Sequence, residues 1–121
     1  MIHTTMDKAL AAFGALIRVR NQVRGKTALD LFRLKNALKE NVDFQVEEEM
    51  KLVDEYGGAV TDTGAIVIAD KGKREAFLKA RKELGEMECD VEGEPVRVDL
   101  EKCPDITMED IEQLDGFVIF E

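Results

Sequence analysis

The sequence predicts an α+β protein in which an N-terminal hairpin of long helices precedes a small C-terminal antiparallel β-hairpin or sheet with short helices. Three observations predict this class. Apolar residues recur at helical spacing over residues 4–57, acidic and apolar residues alternate from Glu86 to Glu92, and 45% of the 121 residues are hydrophobic, as in globular proteins. This length corresponds to one domain, 1–121, with a helical part at 4–57 and an α+β part at 59–121.

The first helix is predicted to start after Thr4 or Thr5, since either hydroxyl can cap it, and to run to about Val23, before Gly25. Residues at positions i, i+4, i+7 and i+11 form its apolar stripe: Met6, Leu10, Phe13 and Ile17. We expect this stripe to face the core.

The second helix is predicted to begin at a capping-box-like pair, Thr27 and Asp30, and to end at Gly57. An unbroken helix of this extent is roughly 45 Å long, which exceeds the width of so small a globule. We therefore expect part of its stripe to contact another subunit, and the candidate residues are Leu31, Leu34, Leu38 and Val42. Weak helix formers at 41–44 leave open whether the helix is continuous.

A short β-turn-β unit is predicted next, because Asp62-Thr63-Gly64 is turn chemistry between two β-prone pieces in 59–68. Asp70 is predicted to cap a third helix that runs through Leu84, with Gly85 ending it.

The segment 86–92 is predicted to be a strand that pairs with 96–100 in an antiparallel hairpin. Six apolar side chains should face the core (Met87, Cys89, Val91, Val96, Val98 and Leu100), and four carboxylates should face water (Glu86, Glu88, Asp90 and Glu92). A short helix from Thr107 to Gly116 and a last strand, 117–120, buried on both faces, complete the chain.

Charge divides the chain into two parts. Residues 1–42 carry eight Lys/Arg against three acids, whereas 43–121 carry nine against twenty-three, within a net charge of −9. Such a chain can pair with a copy of itself or present one charged face to a partner. The basic cluster of Arg18, Arg20, Arg24 and Lys26 is expected to form salt bridges with acidic residues, within or between subunits. Nucleic-acid binding is not expected, because the sequence pI is about 4.7.

The sequence contains few of the nucleophiles and general bases that form catalytic sites. It contains no serine, its single histidine, His3, lies in a terminus expected to fray, and acids flank Cys89. We therefore expect no enzymatic activity, cofactor or metal. The acidic strand is interpreted as a solvated face, with a cation site or a partner-binding face as alternatives. The sequence contains no membrane span and no signal peptide, which predicts a soluble cytoplasmic protein.

Several segments resemble a family of small uncharacterised proteins encoded by phages and prophages of Gram-positive bacteria. They comprise 16–26, 28–39, Glu47-Glu48-Glu49, 52–57, the acidic strand 86–92 and the closing helix and strand at 107–120. The resemblance implies an origin and a fold but assigns no reaction. It implies a phage accessory or assembly-associated protein, located in the cytoplasm of the host bacterium or with the virion.

The expected function is therefore non-enzymatic. We expect a homo-oligomer acting through self-association and protein–protein contacts, with a phage or host protein as a further partner. The alternative is an acidic inhibitor that binds a host enzyme or a nucleic-acid-binding protein as a decoy for phosphate charge, since 83–121 carries fourteen acids against two basic residues.

Overall fold

Four helices and six short strands make up the chain, which the computed structural model describes over residues 1–121. In chain order they are β1 (Ile2–Thr5), α1 (Met6–Val19), α2 (Gly25–Glu55), β2 (Ala59–Val60), β3 (Ile66–Val67), α3 (Lys71–Glu86), β4 (Glu88–Val91), β5 (Val96–Val98), a 3₁₀ helix (Leu100–Lys102), α4 (Met108–Gln113) and β6 (Val118–Phe120). The α+β class with long N-terminal helices is confirmed. No helix combines the length and the apolar character that crossing a membrane requires.

Helix α1 begins where the sequence predicts but buries a different face. The Thr5 hydroxyl caps it by accepting a hydrogen bond from the amide of Lys8, and the helix ends at Val19, earlier than predicted. Its buried residues include Ala9, Ala12, Ala15, Leu16 and Val19, whereas Leu10 and Phe13 are half-buried and Ile17 is exposed. The prediction that Ile17 faces the core is wrong. Helix α1 contacts β1 and all three other helices, and the small side chains of its alanines permit these elements to pack closely against it.

Helix α2 is continuous through the weak segment 41–44. Its first residue is Gly25 and no side chain caps it, so the predicted capping box at Thr27 does not form. The first half of α2 packs in the main core and its last turns pack on α3 and the β2–β3 unit. Packing at both ends outweighs the low helix propensity in the middle.

The strands form three separate two-stranded sheets. β1 pairs antiparallel with β4, with Ile2 opposite Val91, and β2 pairs antiparallel with β3 around the predicted turn. β5 pairs parallel with β6, with Val96 opposite Val118. The predicted hairpin of 86–92 with 96–100 is therefore wrong, because alternation specifies which face of a strand is buried but does not specify its partner.

Burial along the C-terminal strands agrees only partly with the prediction. Val91 and Val98 are buried and Cys89 is half-buried, but Met87 and Leu100 are exposed. Met87 lies at the end of α3 and Leu100 in the 3₁₀ helix, so neither follows the alternation of a strand. In β6 only Val118 is buried while Ile119 is exposed, so this strand has one solvent face and not two buried ones. His3 lies in β1 rather than in a frayed terminus.

The N-terminal and C-terminal parts share one main core, which contains sixteen buried residues between Ile2 and Val118. A second, small core of Val53, Ile68 and Phe77 lies at the far end of α2. Asp70 and Thr107 cap α3 and α4 as predicted. Helix α3 continues through Gly85 to Glu86, however, so the predicted stop at Gly85 is wrong.

Candidate functional site

The four α2 residues predicted to contact another subunit lie in the chain's own core. Leu31, Leu34, Leu38 and Val42 are all buried, and Leu38 is completely inaccessible to solvent. Leu31, Leu34 and Leu38 belong to the main core, where α2 is covered by α1 and the C-terminal strands. The prediction that they form an intersubunit surface is corrected: these side chains are not available to a partner.

The predicted arginine cluster is divided between two environments. The Arg18 Nε donates a hydrogen bond to the buried Asp110 carboxylate at 2.8 Å, and its guanidinium also contacts Gln113. Arg20 and Arg24 are exposed and form no ion pair within the chain. Arg18 therefore has a structural role, since it joins α4 to α1, whereas Arg20 and Arg24 are exposed without an ion-pair partner in the chain.

The four predicted solvent carboxylates are exposed, as expected, but they do not form one site. Glu86 belongs to α3, and its Oε1 lies 3.9 Å from the Lys82 Nζ. Asp90 contacts His3 across the β1–β4 pair. Glu88 and Glu92 have no ion-pair partner. Across the chain, no three His, Cys, Asp or Glu side chains come close enough together to hold a metal ion.

Cys89, His3 and Asp90 are neighbours on the paired strands β1 and β4, yet they do not converge. His3 lies opposite Asp90 and Thr4 lies opposite Cys89, so the alternation of the strands turns Cys89 to the other face. The Cys89 side chain packs against the main core. Burial, and then the charge of Asp90, raises the pKa of the Cys89 thiol, which disfavours the nucleophilic thiolate.

The largest cavity is a groove of about 540 Å³ between the first turns of α2 and the β4–β5 turn. Lys26 and Arg33 lie on its α2 wall and Glu92, Glu94 and Arg97 on the opposite wall. Charges of both signs thus face one another across the groove, and the two α2 cations form no ion pair within the chain. Its lining is mostly polar, unlike the apolar lining typical of small-molecule pockets.

Sequence reasoning missed a second feature, a small apolar pocket between α1 and α2 that is open to solvent. Its volume is about 70 Å³, and its lining is Leu16, Arg20, Val23, Ala28, Leu31, Phe32 and Lys35. We call it the α1–α2 pocket. The Phe32 ring is 53% exposed at its mouth, and the Lys35 Nζ lies 5.8 Å from the ring centroid, within range of a cation–π interaction. The available signal was Phe32, an apolar residue that lies off the main stripe of α2.

A polar network joins α1, α2 and α3 on another side of the molecule. Arg81 donates a hydrogen bond to Asp7 at 3.0 Å and contacts Glu49, while the Gln45 amide, only 1% exposed, donates to Asp7 at 3.0 Å. Burial lowers the pKa of Arg81, but its hydrogen bonds to the two carboxylates outweigh that effect and raise it. Each of these four residues contacts another member of the network, so we assign it a structural role, although the buried Oε1 of Gln45 accepts no hydrogen bond.

Comparisons with known proteins give no relative: no family model, no curated protein and no solved structure matches the chain.

Proposed function

We propose that the chain is a non-enzymatic protein that acts through self-association and contacts with other proteins. The observation that carries this proposal is that charges of opposite sign lie in different segments and remain largely unpaired. Of seven Lys/Arg between 18 and 39, only Arg18 and Lys39 have an ion-pair partner within 4 Å. Of fourteen acids between 83 and 121, nine have none.

Unpaired charges of opposite sign favour association of one copy with another. Arg18 and Asp110 form the one ion pair between these two segments within the chain, and a second copy can supply partners for the charges that remain. Such complementarity steers encounter and sets the orientation of partners, and salt weakens it. The Lys39 partner is Asp43 on the same helix, and this exposed pair contributes little to joining the two segments.

The α1–α2 pocket adds an apolar component to the basic segment. Contact sites between proteins combine aromatic and arginine side chains around a core with few charges. The exposed Phe32, with Arg20 and Lys35 bordering the same pocket, has this composition. On the resemblance of 16–26 and 28–39 to phage and prophage proteins, we further propose an accessory or assembly role in the host cytoplasm or with the virion.

Light scattering coupled to size-exclusion chromatography tests the proposal over a concentration series in the micromolar range. We expect a mass above the 13.6 kDa of one chain, rising with concentration. A mass of one chain at every concentration contradicts self-association. Phe32→Asp should lower the association, whereas Phe44→Asp serves as the matched control because Phe44 is a 42% exposed phenylalanine on the same helix, outside the pocket.

The exposed acids favour a second candidate function, an acidic decoy for a basic partner of the host. Nine unpaired carboxylates between 83 and 121 provide a dense negative surface. Affinity capture from a host lysate at low and then moderate salt tests it. A decoy should capture a basic enzyme or nucleic-acid-binding protein and release it as salt rises, whereas recovery of phage structural proteins alone favours the first proposal.

A further inference from the structure

We propose that copies of this chain associate head to tail, with Met108 of α4 in one copy entering the α1–α2 pocket of the next. The inference rests on the proposed self-association and names the two surfaces that carry it. It follows from three features: a pocket bordered by cations, an exposed apolar side chain surrounded by acids, and their positions on different sides of the chain.

The receiving surface is the α1–α2 pocket. Its volume of about 70 Å³ exceeds the share of one water molecule, which is about 30 Å³, and suits the end of a single aliphatic side chain. Most of its lining is apolar, and Arg20 and Lys35 border it without an ion-pair partner in the chain. An apolar occupant with acidic neighbours therefore matches it.

Such an occupant is present in α4. Met108 is 78% exposed, the highest value among the large hydrophobic residues of the chain, although it lies at the start of a helix. The exposed carboxylates of Asp105, Glu109 and Glu112 surround it in sequence, and none has a cation partner. The flexible, unbranched side chain of methionine adapts readily to a small pocket.

The two surfaces cannot meet within one chain. Leu16 of α1 and Arg20, the residue after this helix, line the pocket, whereas Arg18 of α1 contacts α4 through Asp110. Residues two positions apart in a helix point about 160° away from each other around the axis, so the pocket and α4 lie on different sides of α1. A contact between them must join two copies, and a contact between unlike surfaces produces either a closed ring or an open chain of copies.

Charge-reversal variants test this contact. One variant carries Arg20→Glu with Lys35→Glu, and the other carries Glu109→Lys with Glu112→Lys; all four side chains lie at the surface or at the pocket rim. Each variant alone should lose association, with at least a tenfold rise in the dissociation constant. An equimolar mixture should associate again, because each reversed surface then meets its complement on the other variant. Lys71→Glu with Lys79→Glu on α3 is the matched control and should associate like the unmodified chain.

Met108→Ala tests the apolar anchor without changing charge. It should weaken association several-fold, while Met50→Ala, at an exposed methionine of α2, should not. If the unmodified chain associates but the reversed variants associate equally well, or if their mixture stays dissociated, the head-to-tail contact is wrong while self-association stands. If the unmodified chain is a monomer, self-association itself fails.

Discussion

Replacing Gly85 by alanine should destabilise the protein, although alanine is the better helix former. Gly85 lies inside α3, and a Cβ atom there would be 1.9 Å from the Asp7 Oδ2 and 2.3 Å from its Cγ. Because these atoms belong to a short side chain held by Gln45 and Arg81, Asp7 must turn away and release both donors. The network that joins the three helices then breaks.

The magnitude follows from opposing effects. Alanine in place of glycine inside a helix ordinarily stabilises by about 1 kcal/mol. A buried amide left without its acceptor, here that of Gln45, costs about 1–3 kcal/mol, and a lost hydrogen bond between charged groups, here Arg81 to Asp7, costs about 1.5 kcal/mol more. We expect the free energy of unfolding to fall by about 2 kcal/mol.

Urea unfolding followed by far-UV circular dichroism measures this change, and Gly14→Ala in α1 is the matched control. An alanine Cβ at position 14 has its nearest neighbour, an Arg18 guanidinium nitrogen, at an ordinary 3.6 Å, so this variant should be as stable as the unmodified chain or more stable. If Gly85→Ala stabilises the protein as much as Gly14→Ala does, the network does not hold Asp7 in place.

Two further perturbations address the buried ion pair and the thiols. Arg18→Met leaves the buried Asp110 carboxylate without its cation and should lower the free energy of unfolding by about 2 kcal/mol. Arg20→Met, at an exposed site without an ion pair, should change it by less than about 0.5 kcal/mol. Equal effects of the two variants in urea unfolding contradict a structural role for the Arg18–Asp110 pair. Burial raises the pKa of both thiols, so labelling by a thiol reagent should be slow near neutral pH and increase as pH rises, with Cys103 slower than the half-buried Cys89. Thiols of the unfolded chain ionise at lower pH than those of the folded chain, so the free energy of unfolding should fall as pH rises above about 8.5. A free energy of unfolding that increases above this pH contradicts the predicted direction.

Local sequence signals predicted the ends of several elements. The caps at Thr5, Asp70 and Thr107 and the turn at 62–64 are confirmed because a cap or turn depends on a few neighbouring residues. The partners of the strands could not be predicted in this way. The segment 88–91 pairs with β1, between 83 and 89 residues earlier in the chain, and nothing in its own alternation distinguishes that partner from 96–98.

The candidate site was less accessible to sequence reasoning than the fold. The exposed arginines and carboxylates were predicted because charge alone keeps them in water. The α1–α2 pocket was not predicted, since it is lined by residues of two helices and of the segment between them, from Leu16 to Lys35. A pocket of this kind depends on how two helices approach each other, and no periodicity of either helix contains that information.

Sedimentation equilibrium of the unmodified chain over a series of salt concentrations tests the central claim, self-association through surfaces of opposite charge, most directly. At low salt and micromolar concentration the weight-average mass should exceed 13.6 kDa, and it should fall towards that value as salt screens the charges. A mass of 13.6 kDa at low salt, or an association that salt leaves unchanged, contradicts the claim.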